Sequence, residues 1–402
     1  MQIITNSTKG KTVIAREIEK KIKQLSKKLP VIAVLGPRQS GKTTITKAIF
    51  KKHTYVSLED FEFRQYAQSD PKGFLEKLHN QHGIILDEVQ YVPHLLSYIQ
   101  LYVDTHKKYG YFVITGSQNF LLNASITQTL AGRVSIFTLL PLSIQEMKKS
   151  KILEQKTEDA MFTGCYPRIY DEQISPQHWL PDYVSTYVER DVRQLKNITD
   201  LDLFQTFIKL CAGRIGQLVN LTSLSNDCGI SISTTKAWIS LLEQSYILFL
   251  LRPHFKNFSK RVVKSPKIYF YDTGLACSLL GITSSKQLSN HYLKGGLFES
   301  FVISDIMKQF YNNKMIPPLY FWRDKHGHEI DCIIEKADKL IPIEIKAGKT
   351  ITNNYFTGLD YWNKLSGQNP ADSIVIYAGD GGQKRSNGTV LSWKNITKLV
   401  TK

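Results

Sequence analysis

Apolar residues recur at steps of four and three at Ile14, Ile18, Ile22, Leu25 and Leu29, which predicts an amphipathic helix with a basic outer face within the first thirty residues. A short continuous apolar run follows at Val31 to Leu35. Further β-rich runs stand at Thr54 to Leu58, Gly83 to Leu86, Tyr111 to Thr115 and Val134 to Leu139, with helical patterns between them. Strand alternating with helix predicts a parallel α/β sheet. From about Met147 to Asp182 the chain turns polar and proline-punctuated, as a lid or boundary does, and from Tyr183 to Leu251 the pattern is helical, with Gly229 between two short apolar helices. After Lys256 strands are expected at Ile268 to Tyr271, Leu319 to Trp322, Ile330 to Ile334, Leu340 to Ile345 and Ser373 to Tyr377, around a helix from about Leu297 to Tyr311. The expected units are therefore 1–165, 166–260 and 261–402, the last of α+β type, with no internal repeat.

Composition narrows the class. The chain has 402 residues, 42% apolar and 22% charged, which excludes a disordered or stapled miniature protein. Lys and Arg total 52 against 35 acids, a formal charge of +17 that favours a polyanion such as nucleic acid, with an anionic membrane surface as the weaker alternative. Cys165, Cys211, Cys228, Cys277 and Cys332 are scattered without a Cys-x-x-Cys pair, as reduced thiols are. No apolar run approaches the roughly 20 residues a bilayer needs, and the N-terminus lacks a signal-peptide pattern. The expectation is a cytoplasmic protein without a membrane partner.

The strongest chemical signal is Gly36-Pro37-Arg38-Gln39-Ser40-Gly41-Lys42-Thr43, a complete P-loop between an expected strand and an expected helix that opens with Lys42, Thr43 and Thr44. Its backbone N–H groups wrap phosphates at a helix N-terminus, Lys42 reaches the outer phosphates and the Thr43 hydroxyl coordinates Mg²⁺. Downstream, the apolar strand ending in Asp87-Glu88 suits a carboxylate in the Mg²⁺ shell followed by one that polarises the attacking water, so hydrolysis is expected; an Asp-Glu helix cap is the plainer alternative. The strand Tyr111 to Ser117 brings Thr115 or Ser117, with Ser117 favoured, to the γ-phosphate. Arg133 suits a sensor or a finger acting on a neighbouring subunit as well as it suits a surface arginine, and Arg168, Arg190 and Arg193 are rivals for that role.

Leu218, Leu221 and Leu224, a turn at Gly229, and Ser233 to Gln244 with Ala237, Trp238, Leu241 and Leu242 fit a helix-turn-helix, and Tyr246 to Leu251 suits the hairpin of a winged helix. Thr234, Thr235, Lys236 and Ser240 would then face a DNA groove. Lys256, Lys260, Arg261, Lys264 and Lys267 form a basic run suited to phosphates, unless the lysines are only solvated. Farther on, alternation puts Glu344 and Lys346 on one face of a strand, and a hairpin would bring Asp331 beside Glu344. Glu299 shares a helix face with Val302, Ile303 and Ile306, where a carboxylate needs a partner or a task. Asp331 and Glu344 holding Mg²⁺, with Lys346 orienting a hydroxide, make a workable phosphodiesterase site; a salt-bridge network silent in chemistry reads the same.

Taken together, these stretches resemble a prokaryotic family of AAA-type P-loop ATPases whose C-terminal domain is similar to a PD-(D/E)xK nuclease fold. The resemblance is carried by residues 36–43, 86–90, 114–118, 130–134, Gly164-Cys165-Tyr166-Pro167, 297–301, 321–324, 329–331 and 343–346. It implies an ATPase domain with a lid, a winged-helix-like segment and a restriction-endonuclease-like end, with ATP as the nucleotide, Mg²⁺ or in its place Mn²⁺ at the nuclease-like site, and assembly into a homo-oligomer. Glu299, Asp331, Glu344 and Lys346 occupy the nuclease positions, while Cys165 replaces a usual second glycine and Ile330 the name-giving proline. The expected function is an ATPase associated with DNA whose nucleotide state controls the nuclease-like domain. The alternative is a nucleotide-switched scaffold or DNA-binding regulator that cuts nothing.

Overall fold

A computed structural model describes residues 14–117, 120–188, 200–254, 263–337 and 339–400. Arg190, Arg193, Lys256, Lys260 and Arg261 lie outside the described residues. The N-terminal sheet has strands β1 (Val31–Leu35), β2 (Thr54–Ser57), β3 (Ile84–Asp87), β4 (Phe112–Gly116) and β5 (Val134–Thr138), all parallel in the order β2-β3-β4-β1-β5. Its central strands β3, β4 and β1 are buried on every residue because both faces are covered. Val31, Ala33, Leu35, Ile84, Leu86, Phe112 and Ile114 pack into one core, whereas Ile32, Val34, Ile85 and Val113 pack into the other, with Ile18 and Ile22 of the N-terminal segment. The expected first helix is shorter than its apolar pattern: it runs Glu19–Leu25.

After β5 the proline-punctuated stretch folds as short helices, Ile144–Lys149, Thr157–Thr163, Pro167–Asp171 and Pro176–Tyr183; the last two open on proline, whose missing N–H costs nothing there. Helices Leu201–Ala212, Leu221–Cys228 and Ile232–Gln244 follow. Ser231 caps the third by accepting the Thr234 N–H at 3.0 Å, and Gly229, at φ 70°, takes the left-handed turn that ends the second.

A second sheet of eight strands contains β6 (Leu248–Pro253), β7 (Lys267–Phe270), β8 (Leu319–Arg323), β9 (Glu329–Lys336), β10 (Lys339–Lys346), β11 (Ile374–Tyr377), β12 (Gln383–Arg385) and β13 (Gly388–Ser392), ordered β12-β13-β11-β10-β9-β8-β6-β7. β8, β9 and β10 are antiparallel neighbours, and β11 lies parallel to β10. The helix Lys294–Asn312 packs into the core on one face and the helix Thr357–Ser366 into the core on the other, where Trp322 and Trp362 meet at 5.0 Å. The second of these helices was not anticipated.

The boundary expected at residue 260 is corrected by the pairing. β6 is antiparallel to β7 but then runs parallel to β8 through Arg252 and Pro253, so one sheet crosses it. A single apolar core runs from Leu140 to Val400, and the second and third expected units share it. All five cysteines are free and buried. Among the described residues no helix is long and apolar enough to cross a membrane.

Candidate functional site

The loop after β1 is shaped by three backbone demands. A Cβ on Gly36 would lie 2.1 Å from the Leu139 carbonyl oxygen, and Gln39 and Gly41 take φ of 61° and 94°. Lys42, buried at the start of the helix Lys42–Ile49, donates to the Gly36 and Pro37 carbonyls at 3.0 and 2.9 Å. The Ser40 hydroxyl is buried without a hydrogen-bond partner, as suits a group facing a ligand.

β3 lies two places from β1, across β4, and delivers the acids. Asp87 accepts the Thr43 hydroxyl at 2.8 Å and the Tyr55 hydroxyl at 2.8 Å, with the Thr115 hydroxyl on its other oxygen. Glu88 takes a left-handed conformation at φ 58° and accepts the Ser117 hydroxyl at 2.8 Å, with Gln90 also donating to it. Burial alone would raise the Glu88 pKa, but the Lys42 charge, the Gln90 bond and Arg38 hold it below its ordinary value, so it stands as an anion. The donor set of Thr43 and Asp87 suits Mg²⁺, a hard cation that takes oxygen ligands. Thus Asp87, Glu88, Thr43 and Ser117 meet at the P-loop as expected, while Tyr55 and Gln90 join them without any motif to announce them.

Beside this loop opens a cleft of about 590 Å³, walled by Gln39, Thr44, Ala48, Leu142 and Arg168. Among the described residues, Arg168 is the rival arginine that stands at this chain's own loop. Arg133 does not. Its carbonyl accepts the Val31 N–H at the N-terminal edge of the sheet, about 16 Å along β1 from the P-loop at the other edge. Its guanidinium is taken by Asp104 at 2.9 Å, so of the expected roles the sensor of this chain's own nucleotide does not fit its place, while the surface arginine and the finger toward a neighbouring subunit do not depend on reaching that loop. Arg38 likewise spends its side chain on Glu59 at 3.0 Å and Tyr91 at 3.3 Å. Sequence reasoning missed Arg16, which donates to the Ser40 and Leu140 carbonyls, both at 2.7 Å, and to Glu146 at 3.0 Å.

The second cluster lies at β9 and β10. Asp331 accepts the Ile345 N–H at 2.8 Å, and Lys346 bonds Glu344 across one face of β10, the alternation the sequence foretold. The other carboxylate oxygen of Glu344, Oε2, is buried without a hydrogen-bond partner. Glu299 reaches in from the helix Lys294–Asn312 and accepts the Tyr269 hydroxyl at 2.8 Å. Burial first and the Asp331 charge second push both Glu299 and Glu344 well above the carboxylate range, against the pull of Lys267 and Lys346. Asp331 and the unpartnered Glu344 oxygen fit a hard divalent ion; among the described residues no three His, Cys, Asp or Glu form a ready cage. Lys267, read from sequence as a phosphate contact, is instead 3% exposed and paired with Glu299 and Glu329. Strand alternation in Lys-Ile-Tyr at 267–269 was the signal available for it.

Residues 28–148 match the model of the AAA domain, so with the parallel sheet and loop described above the N-terminal part is a P-loop domain of AAA type. Residues 154–286 and 294–396 match two domains of unknown function, DUF8612 and DUF4143. The chain is 27% identical over 340 residues to an uncharacterised protein of Mycobacterium tuberculosis, covering 83% of this chain and 74% of that one. It is 22% identical over 348 residues to one of Haemophilus influenzae, covering 78% and 81%. A Walker-type ATPase of Pyrococcus abyssi is similar in structure at a TM-score of 0.43 and 13% identity, over 65% of this chain and 94% of that one.

Proposed function

We propose that the chain hydrolyses ATP with Mg²⁺ at the 36–43 loop, associates with DNA, and uses its nucleotide state to control a metal-dependent nuclease-like site formed by Glu299, Asp331, Glu344 and Lys346. The observation that carries this reading is a buried polar connection between the two clusters. The P-loop carbonyl of Ser40 accepts from Arg16, Arg16 pairs with Glu146, and Glu146 accepts the Ser143 N–H at 2.8 Å. The next N–H, that of Ile144, donates to Asp305 at 2.6 Å, and Asp305 sits on the helix that carries Glu299, about 9 Å away along its axis. Lys308 on the same helix donates to the carbonyl of Leu142, a wall of the cleft. A helix held at one end by the cleft and presenting a carboxylate at the other is suited to transmit a small shift as a rigid body.

Other features support parts of the reading. A helix, three antiparallel strands, a helix on the opposite face and a parallel strand, with the acids on the middle strands, favour the restriction-endonuclease-like comparison. Three helices followed by the antiparallel β6 and β7, with Leu218 bridged to Lys267, favour a winged helix. Arg133 lies at the far edge of the sheet, partly exposed on its Asp104 pair, so it would have to exchange that pair to serve a neighbouring copy in a homo-oligomer.

The test is cleavage of circular and linear DNA with Mg²⁺ or Mn²⁺, with and without ATP, by wild type, Lys42→Ala and Lys346→Ala. Lys346→Ala is expected to abolish cutting and Lys42→Ala to remove its response to ATP. A wild type that turns over ATP but cuts neither form of DNA overturns the nuclease part, and one that fails to retard DNA at low salt overturns the association.

A further inference from the structure

A lysine inside an acidic cluster, delivered by a strand from another stretch of the chain, asks for a reason. Lys267 opens β7, and its ammonium group bonds Glu329 and lies 3.5 Å from Glu299. Tyr269 follows two residues later on the same strand, so the strand period points both side chains the same way, and both reach the same oxygen of Glu299. Burial works against the charge of Lys267, but Glu299, Asp331 and Glu329 outweigh it and keep the side chain a cation. Its bonds are spent on carboxylates, so it has none to give to a phosphate.

We infer that Lys267, with Tyr269 beside it, is a positioning residue of the carboxylate cluster: it fixes Glu299 and Glu329 against Asp331, so a strand outside the C-terminal 294–396 segment completes the site. The inference rests on reading that cluster as a metal-dependent site. Four carboxylates, Glu299, Glu329, Asp331 and Glu344, would repel one another if left alone; Lys267 braces Glu299 and Glu329 at one end, and Lys346 holds Glu344 at the other. Arg323, at 3.1 Å from Glu329, steadies the Lys267 group from outside. A pair kept for stability alone is replaceable by apolar side chains of the same volume, whereas a pair that aims Glu299 is not.

The experiment is a double-mutant cycle on the full chain with Lys267→Met, Glu299→Gln and both together, read as DNA cleavage and as Mn²⁺ affinity by calorimetry on nucleotide-free protein. Lys267→Met is expected to lower each readout about 10- to 100-fold, as loss of a residue that orients a ligand does, and to add little once Glu299 is already Gln. Losses that multiply in the double variant, or a Lys267→Met protein equal to wild type, overturn the inference. If Lys267→Met does not fold, Tyr269→Phe, which removes only the hydroxyl on Glu299, takes its place in the same cycle. A wild type that binds Mn²⁺ yet cuts nothing refutes the nuclease reading while the Mn²⁺ cycle still decides the role of Lys267; a wild type that does neither refutes both.

Discussion

Arg16→Met removes a side chain that fastens the P-loop to residues 140–146. Glu146 is fully buried and accepts from Arg16, from the Glu17 N–H at 2.8 Å and from the Ser143 N–H. Methionine fills much of the same space but leaves the Glu146 charge short of its cation and the Ser40 and Leu140 carbonyls without their donor. Breaking a buried ion pair from one side costs about 3–5 kcal/mol, a large part of the roughly 5–15 kcal/mol that holds a domain folded. Lys23→Met is the control, since Lys23 pairs with Glu19 in the open, one turn away on the neighbouring helix, where such a pair is worth about 0.3–0.5 kcal/mol. Urea unfolding followed by far-ultraviolet circular dichroism compares the two with wild type. The Arg16 variant should unfold at clearly lower urea and bind ATP more weakly, while Lys23→Met stays near wild type. Equal shifts from the two substitutions would refute the reasoning, which rests on the burial of the Arg16–Glu146 pair and on the two carbonyls Arg16 holds.

Glu88→Gln keeps the oxygen that Ser117 bonds but loses the base, so it should still bind ATP while phosphate release falls about 10²–10⁴-fold; unchanged turnover would remove Glu88 from the reaction. Glu158 on the helix Thr157–Thr163 accepts Lys294 and Lys349, each at 2.9 Å, and although burial opposes them these bonds hold its pKa at about 2 against an ordinary 4.5. A carboxyl lowered on folding stabilises the fold above its unfolded value and loses that contribution as pH falls from about 4.5 through 2. Thermal melting across that range should therefore steepen for wild type relative to Glu158→Gln, and parallel curves would contradict the assignment. Arg133→Ala should leave the ATP affinity of a single chain unchanged, and nucleotide titration at low protein concentration checks it.

How much of this could be read in advance depended on chain distance. The P-loop was legible because one strand, one turn and one helix supply every part of it. Asp87 and Glu88 were legible because they end a strand of the same parallel sheet, and ligands gather at the carboxyl ends of such strands. The same rule, applied to Arg133, would have put it at the wrong edge, since it precedes its strand. Tyr55 gave no warning, as it meets Asp87 only through the pairing of β2 with β3, and Gln90 gave none because its bond to Glu88, two residues back, depends on the turn taken there and follows no motif. Lys267 was misread because its neighbours in sequence are basic, whereas its neighbours in space, Glu299 and Glu329, come from 32 and 62 residues away.

By itself the sequence determined the local matters: which runs become strands, the strand–loop–helix that cradles phosphate, and the shared face of Glu344 and Lys346. These follow from backbone sterics and side-chain period, which act over a few residues. Only the tertiary structure decided that β6 leaves β7 for β8, that one core joins residues 140–400, and that a lysine from β7 sits among the acids of β9 and the helix Lys294–Asn312. Long-range pairing is set by which buried surfaces and charges complement each other once the chain is compact, and that balance is not written in any single stretch.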